Sequence, residues 1–343
     1  MPMMNRRQFV KTAAVGTTAL AAGNTAWAEE PMVVKLSTVA PEGTPWAEQV
    51  KDFKKRISAE GGGRFNVKSY LGGGLGDETV TSSECKRGAI QVWAGSTGAL
   101  AAVVPELALF ELPFLFNNVA EADHVIDNVL NTDMQKLLAS RGFQILFWAE
   151  NGYRSFGTTF GPVKTPEALK GRKMRSQENE VHLEMYRALG ASPVPISVTE
   201  VLSSLQTKVV DGFDNTPLFT FAASWYQGVK HYSLTEAIYQ PGIVVANKAW
   251  FDKLSPADQK MMMGDPKAEA VKGRKGVREL APLLIENFKA AKIEVHTLTP
   301  AEREVFAKVC LPTHDKWTKG KGKSAAAYVA KAKAAIAEMR KKG

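Results

Sequence analysis

Apolar and polar residues alternate along this chain at two different spacings. Residues 32–37 are apolar at every second position, which is typical of a strand. Trp46, Val50, Phe53 and Ile57 then recur at spacings of 4, 3 and 4, so a helix is predicted to begin at Thr44-Pro45. Glycines 61–63 end this helix, and residues 64–70 are predicted to form the next strand.

The clearest alternation of strands and helices lies between residues 163 and 215. Strands are predicted at 172–177 and 192–196, and the stripe of Val181, Met185 and Leu189 predicts a helix over 179–189. The order Ser197-Val198-Thr199-Glu200 fits a capping box for a helix that reaches about residue 207. Such alternation favours a largely parallel sheet, whose ligands bind beyond the carboxyl ends of its strands.

Two polar side chains are expected near strand ends in this region. Arg175 offers a planar fork of fixed positive charge, and Asn215 offers both a donor and an acceptor. Together they could hold a carboxylate. Lys170, Arg172 and Lys173 flank Arg175, so a surface position within a basic run is the alternative interpretation.

The remaining periodic segments extend the mixed α/β pattern. Strands are predicted at 89–94, 143–149, 243–246 and 293–297, and helices at 120–130, 132–141, 266–292 and 324–340. Residues 151–156 and 239–242 are interpreted as connections between two lobes. Asp77, Glu78 or Glu84 could point a carboxylate into a cleft, although capping of the following helix is the preferred role for Asp77.

The first 28 residues have the features of an export signal. Asn5 to Lys11 contains the pair Arg6-Arg7 and closely matches the twin-arginine pattern. A short apolar segment and the small-residue site Ala26-Trp27-Ala28 follow, which places the mature start at Glu29. No later stretch is long and apolar enough to predict a membrane span, so a periplasmic protein that does not itself cross the membrane is expected.

Composition excludes several classes of protein. The 343 residues are 45% hydrophobic and 23% charged, as in a soluble globular protein, and the length allows two domains. The net charge of +9 falls to about +6 without the three basic residues of the leader. The lysines are spread along the chain, which argues against nucleic-acid binding, and a mild positive excess would help gather anionic solutes.

The residues that usually carry chemistry are scattered. Cys85 and Cys310 fit no iron–sulfur, zinc or haem pattern, and two separate buried thiols are expected, although a disulfide is chemically allowed in the periplasm. The five histidines form no metal motif, so no metal or other cofactor is expected. Glu178 and His182, one helical turn apart, are the only acid–imidazole pair, which we interpret as a surface contact.

Seven motifs in series give the chain a family resemblance. In their order and spacing these motifs resemble those of the periplasmic solute-binding proteins of TRAP transporters, the dicarboxylate-type family. The motifs are Gly74-Leu75-Gly76-Asp77, Ser96-Thr97-Gly98-Ala99-Leu100, Leu112-Pro113-Phe114-Leu115-Phe116, Asn151-Gly152-Tyr153-Arg154-Ser155-Phe156, Lys173-Met174-Arg175, Leu189-Gly190-Ala191-Ser192-Pro193-Val194-Pro195 and Val210-Asp211-Gly212.

The resemblance implies a fold and a function. It implies a two-lobed α/β fold of the periplasmic-binding-protein type, with a hinge and a long helix behind both lobes. The first lobe would hold residues 29–151 and about 242–280, and the second 152–241 and about 281–343. The protein would capture a small organic acid between the lobes and deliver it to an integral-membrane TRAP permease. A periplasmic enzyme acting on a small acid, or the binding component of an ATP-driven transporter, are the alternatives.

The same resemblance implies a set of binding residues. Arg175 would form a bidentate salt bridge to the carboxylate, Asn215 would bond to it, and Arg154 would add a second positive group. Apart from the resemblance, Thr97 in the polar turn 96–98 could donate to a ligand, and Glu78 is a candidate among the three first-lobe acids that could line the cleft.

Two positions depart from the family pattern. Phe213 stands where polar residues are common, and Glu178 stands where a small or amide residue is usual. A carboxylate of Glu178 facing the cleft would repel the far end of a diacid, or accept bonds from an amine or hydroxyl. The sequence leaves open whether the acid is a mono- or a dicarboxylate.

Overall fold

Nine strands form one mixed sheet in the computed structural model, which describes residues 30–342. The sheet order is β2-β1-β3-β8-β4-β7-β5-β6, and β9 pairs with β8. The strands are β1 (Met32–Ser37), β2 (Phe65–Tyr70), β3 (Val92–Ser96), β4 (Phe143–Thr158), β5 (Lys173–Ser176), β6 (Ser192–Pro195), β7 (Gly212–Asn215), β8 (His231–Asn247) and β9 (Glu294–Thr297).

Helices cover both faces of this sheet. They are α1 (Pro45–Glu60), α2 (Glu78–Arg87), α3 (Thr97–Leu100), α4 (Val119–His124), α5 (Asn131–Ser140), α6 (Glu180–Ala188), α7 (Val201–Gln206), α8 (Pro217–Ala222), α9 (Lys248–Phe251), α10 (Pro256–Met263), α11 (Pro266–Ala290), α12 (Pro300–Cys310) and α13 (Pro312–Lys342). A π-helical segment, Val125–Leu130, joins α4 to α5. None of the helices within residues 30–342 is long and apolar enough to cross a membrane.

Two long strands, β4 and β8, lie in the middle of the sheet. β4 and β8 pair antiparallel, with register shifts between Glu150 and Gly152 and between Arg154 and Phe156. On one side of these shifts β8 pairs with β3, and on the other side β4 pairs with β7. We call β2, β1 and β3 with the adjoining ends of β4 and β8 the first half of the sheet, and β7, β5 and β6 with the other ends the second half.

The predicted ends of β4 and β8 were wrong. Residues 151–156 and 239–242, where the chain was predicted to cross between the lobes, lie inside the strands, so both strands are longer than predicted. The glycine and proline that suggested turns lie at irregular positions of the ladder, where Gly152 has a φ of 107° beside a register shift. The strands therefore link the two halves directly.

Several helix starts follow the predicted chemistry. The hydroxyl of Thr44 accepts from Ala47 N and Pro45 is the first residue of α1, as predicted. Asp77 caps α2 by accepting from Thr79 N, also as predicted. The predicted capping box at Ser197 was wrong, because its side chain makes no cap hydrogen bond there.

The long helix α11 spans both halves. Its Ala270 belongs to the core of the first half, which includes Phe143 and Ile243, and its Phe288 packs in the core of the second half beside Phe213. The predicted helix behind both lobes is therefore present.

The last helix also packs on the first half. Buried residues of α13, among them Trp317 and Val329, lie in the same core cluster as Phe143 and Ile243. The sequence assigns this segment to the second lobe, and the lobe boundaries stay a prediction.

Candidate ligand-binding site

A cavity lies between the segments that precede β4 and those that follow it. Segments at residues 39–46, 78 and 96 form one wall, and segments at 175–177, 198 and 215–219 form the other. β4 and β8 supply its floor, which consists of Asn151, Arg154 and Gln240.

Arg175 lies in β5 and faces this cavity. Its register partners are Val194 of β6 and Phe213 of β7, and its side chain is 2% exposed. Nε donates to the Ile196 carbonyl at 2.9 Å, and the guanidinium carbon lies 5.2 Å from the ring of Trp225. Within residues 30–342 the two terminal nitrogens have no hydrogen-bond partner. Burial, followed by the charge of Arg154, lowers the pKa of Arg175 to about 10.

Asn215, the last residue of β7, lies beside it. Its Oδ1 accepts from Thr216 N at 2.8 Å, Asn151 Nδ2 at 3.2 Å and Arg154 Nη1 at 3.3 Å. These three donors orient the amide so that Nδ2 is left without an acceptor among the described residues. Asn215 thus offers the cavity a donor.

Arg154 also lines the cavity, but an acid neutralises its charge. Nε donates to Asp214 Oδ2 and Nη2 to the Asp214 carbonyl, both at 2.5 Å. Nη1 donates to Gln240 Oε1 at 2.9 Å. Burial alone would raise the pKa of Asp214, but the charges of Arg154 and His182 and the hydrogen bonds from Arg154 and Tyr186 together outweigh it and lower that pKa to about 2. The pair therefore contributes no net charge.

Glu78, from the first turn of α2, brings a carboxylate to the same cavity. Its oxygens accept from Ser96 N at 2.9 Å, Ser96 Oγ at 3.0 Å and Gln177 Nε2 at 3.4 Å. Burial, and then the neighbouring charge of Asp77, raises the pKa of Glu78 to about 7.

Three amides that the sequence analysis missed connect these groups. Gln177 Nε2 donates to Ser96 Oγ at 2.8 Å, and Gln240 Nε2 donates to Gln177 Oε1 at 2.9 Å. Asn151 Nδ2 donates to Gln240 Oε1 at 2.6 Å. Asn151 belongs to the same motif as Arg154, and Gln177 follows Arg175 by two residues. This closeness in the chain is the feature of the sequence that could have identified them as lining residues.

Three of the predicted binding residues do not line this cavity. Thr97 is fully buried and donates to Glu111 Oε1 at 2.7 Å. Phe213 points into the second core, with its ring 5.1 Å from that of Trp225. Glu178 is exposed and accepts from Thr79 Oγ1 at 3.0 Å. The other four, Arg175, Asn215, Arg154 and Glu78, do line it.

Polar contacts join the two halves around the cavity. Asp77 Oδ2 accepts from Val198 N at 2.7 Å and from Ser197 Oγ at 2.9 Å. Asn179 Nδ2 donates to the Gly98 carbonyl at 2.9 Å. These contacts close the entrance beside Glu78.

His182 makes a contact of the same kind. Its Nε2 lies 2.6 Å from Glu111 Oε2, with both side chains fully buried. The interpretation of His182 and Glu178 as a surface pair was therefore wrong, because Glu178 precedes α6 and faces Thr79.

The two cysteines are buried and unpaired, as expected. Burial raises the pKa of each thiol to about 12. Across residues 30–342 no group of three or more His, Cys, Asp or Glu side chains is arranged to hold a metal ion.

A cavity between two α/β halves, joined by two long strands and lined by a buried arginine, is the arrangement of a two-lobed solute-binding protein. Residues 36–320 match the family of bacterial extracellular solute-binding proteins known as family 7, or DctP, and the chain belongs to that family. The predicted membership and fold class are confirmed.

Curated relatives agree with this assignment. The chain is 31% identical over 301 residues to a solute-binding protein of Verminephrobacter eiseniae, covering 88% of this chain and 89% of the relative. It is 29% identical over 340 residues to the C4-dicarboxylate-binding periplasmic protein DctP of Rhodobacter capsulatus, covering 98% of this chain and all of the relative.

A solved structure has the same fold at comparable identity. It is a TRAP periplasmic solute-binding protein of Ralstonia eutropha H16 with bound (S)-2-acetolactate. The TM-score is 0.82 at 30% identity, and the alignment covers 89% of this chain and 99% of that one.

Proposed function

We propose that this protein captures a small organic acid in the cavity between its halves and delivers it to the membrane subunits of a TRAP-type secondary transporter. One observation carries the proposal. Arg175 is a buried cation without an acidic partner among the described residues, and its free nitrogens face the cavity between the halves. A buried charge is stable only when it is paired, so the site calls for an anion.

The donors around Arg175 suit a carboxylate. Its two terminal nitrogens present parallel N–H groups, and Asn215 Nδ2 adds a third donor from the neighbouring strand. Two parallel hydrogen bonds from one arginine are the strongest common arrangement for binding a carboxylate. Arg154 would position Asn215 and contribute little charge of its own.

Lobe motion is the second part of the proposal. The lobes would consist of residues 29–151 with about 242–280, and 152–241 with about 281–343, and the buried face of α13 would stay packed on the core of the first half. They would open and close at the irregular positions of β4 and β8 near Gly152 and Gly242, and the contacts of Asp77 would form on closure.

The setting of the protein follows from its leader and its relatives. We place it in the periplasm after twin-arginine export, with no role in catalysis. Residues 1–28 lie outside the described part of the chain. Replacing Arg6 and Arg7 together by lysine should leave unprocessed precursor in the cytoplasm, which immunoblots of cell fractions would detect.

Calorimetric titration tests the binding function. The purified mature protein is first freed of co-purified ligand by partial unfolding and dialysis, and then titrated with mono- and dicarboxylates. Saturable binding of at least one acid without its chemical conversion supports the proposal. Turnover of an acid would favour the enzyme alternative, and absence of binding to every acid would overturn the proposal.

A further inference from the structure

The charges around the cavity can be counted. Arg154 is balanced by Asp214 at 2.5 Å, which leaves Arg175 as the uncompensated cation among the described lining residues. Glu78 is the carboxylate on the opposite wall. A second negative charge on a ligand would therefore meet either an uncharged wall or Glu78, whose ionised form would repel it, and no second uncompensated cation among the described lining residues stabilises it.

The hydrogen-bond donors of the cavity can be counted in the same way. Asn151 Nδ2 donates to Asn215 and Gln240, and Gln240 Nε2 donates to Glu111 and Gln177. Gln177 Nε2 donates to Ser96 Oγ and Glu78. Each of these amide groups thus donates both of its hydrogens to protein acceptors.

Few polar groups remain for a ligand. Among the side chains of the lining, the free donors are the terminal nitrogens of Arg175 and Nδ2 of Asn215. The acceptors are the lone pairs of Glu78 and the second lone pairs of Gln177 Oε1 and Asn151 Oδ1, each of which accepts one hydrogen bond from the protein. This set matches one carboxylate and one further oxygen, a hydroxyl or a keto group. Additional hydroxyls would find no free side-chain donor, which costs binding energy for each one.

The rest of the lining is apolar. Trp46 packs so closely on β8 that a side chain at Gly242 would approach its Cζ2 atom to 1.9 Å, so only glycine fits beneath the indole. The apolar lining residues are Val39, Ala40, Pro41, Trp46, Val198, Leu218 and Phe219. Such a wall favours hydrocarbon over hydroxyl groups or charge.

From the charges, the free polar groups and the apolar lining of the cavity we infer that the ligand is a monocarboxylate with one hydroxyl or keto oxygen and a short apolar tail. It is neither a dicarboxylate nor a polyhydroxy sugar acid. The inference rests on the proposed function, because it assigns a substrate class to the same site. It names Glu78 and Val198 as residues that determine specificity.

Three four-carbon 2-hydroxy acids that differ only in their tails give a matched test. They are 2-hydroxybutanoate with a hydrocarbon tail, malate with a second carboxylate, and threonate with two further hydroxyls. Calorimetry on the stripped protein should show 2-hydroxybutanoate binding roughly tenfold or more tightly than malate and threonate. Lengthening the tail to 2-hydroxypentanoate should tighten binding about fourfold, since one more methylene is buried.

A pair of valine variants distinguishes an effect of the apolar cavity wall from an effect of the substitution elsewhere in the protein. Val198→Thr places a hydroxyl in the apolar wall with little change of shape, and it should weaken 2-hydroxypentanoate binding by roughly tenfold. Val209→Thr makes the same change at an exposed position outside the cavity and should leave affinity unchanged.

The outcomes distinguish the two levels of the proposal. Tighter binding of malate or threonate than of 2-hydroxybutanoate, or an unchanged affinity in Val198→Thr, would overturn the substrate class while the binding function stands. Failure of every acid to bind would overturn the binding function itself.

Discussion

Arg175 and Arg154 lie in the same cavity, yet their surroundings give them different roles. The fork of Arg154 is directed to Asp214, Asn215 and Gln240, whereas that of Arg175 is held only through Nε. The sequence predicted that both would line the site, and they do. It could not predict which one is neutralised, because Asp214 is adjacent to Asn215 in the chain and its orientation depends on the pairing of β7 with β4.

Replacing Arg175 tests the anchor. A buried carboxylate without its arginine costs roughly 3–5 kcal/mol, so Arg175→Ala should weaken acid binding by on the order of 10²–10³. Arg175→Lys should recover only part of this loss, because an ammonium group cannot hold both oxygens in one plane. Arg172→Ala is the matched control, since Arg172 is an exposed member of the same basic run. Equal losses in Arg172→Ala and Arg175→Ala would rule out the specific role of Arg175.

Glu78 should make stability depend on pH. Its pKa is raised to about 7 in the folded protein, so the fold favours the protonated form. The stabilising contribution is therefore complete below the usual glutamate pKa and is lost as pH rises through about 7. Relative to Glu78→Gln, the wild type should lose about 3 kcal/mol of unfolding free energy between pH 4.5 and pH 8. Urea unfolding at both pH values measures it, and a difference that does not change with pH would refute the assignment.

The directions of several side chains near the cavity could not be predicted from the sequence. Thr97 and Phe213 were predicted to line the site because their motifs surround it, but their side chains turn into the core beside the cavity. Adjacent residues of a strand point to opposite faces, so the family motif fixes the neighbourhood and not the direction of each side chain. The amides of Asn151, Gln177 and Gln240 carry no pattern of their own in the sequence.

At the level of secondary structure, the short strands and most helices could be predicted, and the two long strands could not. Residues 239–242 contain proline and glycine, which usually mark a turn. Here they continue β8, with Pro241 opposite Glu150 where the ladder of β4 becomes irregular. The pairing of two strands whose partner residues lie 73 to 104 positions apart along the chain is a tertiary fact that local patterns do not carry.

The connection between α2 and residues 197–198 gives the element-level prediction. Ser197 Oγ and Val198 N both donate to Asp77 Oδ2, across the entrance of the cavity. Ser197→Ala removes one of these bonds and leaves Asp77 as the cap of α2. Because a hydrogen bond to a charged group contributes about 1.5–3 kcal/mol, the ligand should dissociate roughly ten- to a hundredfold faster. Ser203→Ala, which removes only a local bond to the Glu200 carbonyl, is the control for stopped-flow measurements. Equal dissociation rates in the two variants would exclude a role for this contact in closure.

For the whole molecule, the sheet architecture favours one large motion, in which the two halves move relative to each other. The two halves are joined through β4, β8 and α11, and their other contacts at the cavity entrance are polar. Hinge motion at a few residues of linking strands is a common response to ligand binding.

Small-angle scattering can detect that motion. Addition of a saturating acid should reduce the radius of gyration, because the halves approach each other on closure. A variant that cannot bind, Arg175→Ala, should show no change under the same conditions. An unchanged radius in the wild type at saturation would exclude a large closure.

A crystal structure of the protein with 2-hydroxybutanoate tests most directly whether an acid is held between the halves by Arg175. We predict that the carboxylate lies about 2.7–2.9 Å from both terminal nitrogens of Arg175 and within hydrogen-bond distance of Asn215 Nδ2. The hydroxyl should face Glu78, and the tail should contact Val198 and Leu218. Density for the acid outside this cavity, or a carboxylate bound by Arg154 with Arg175 left free, would contradict the proposed site.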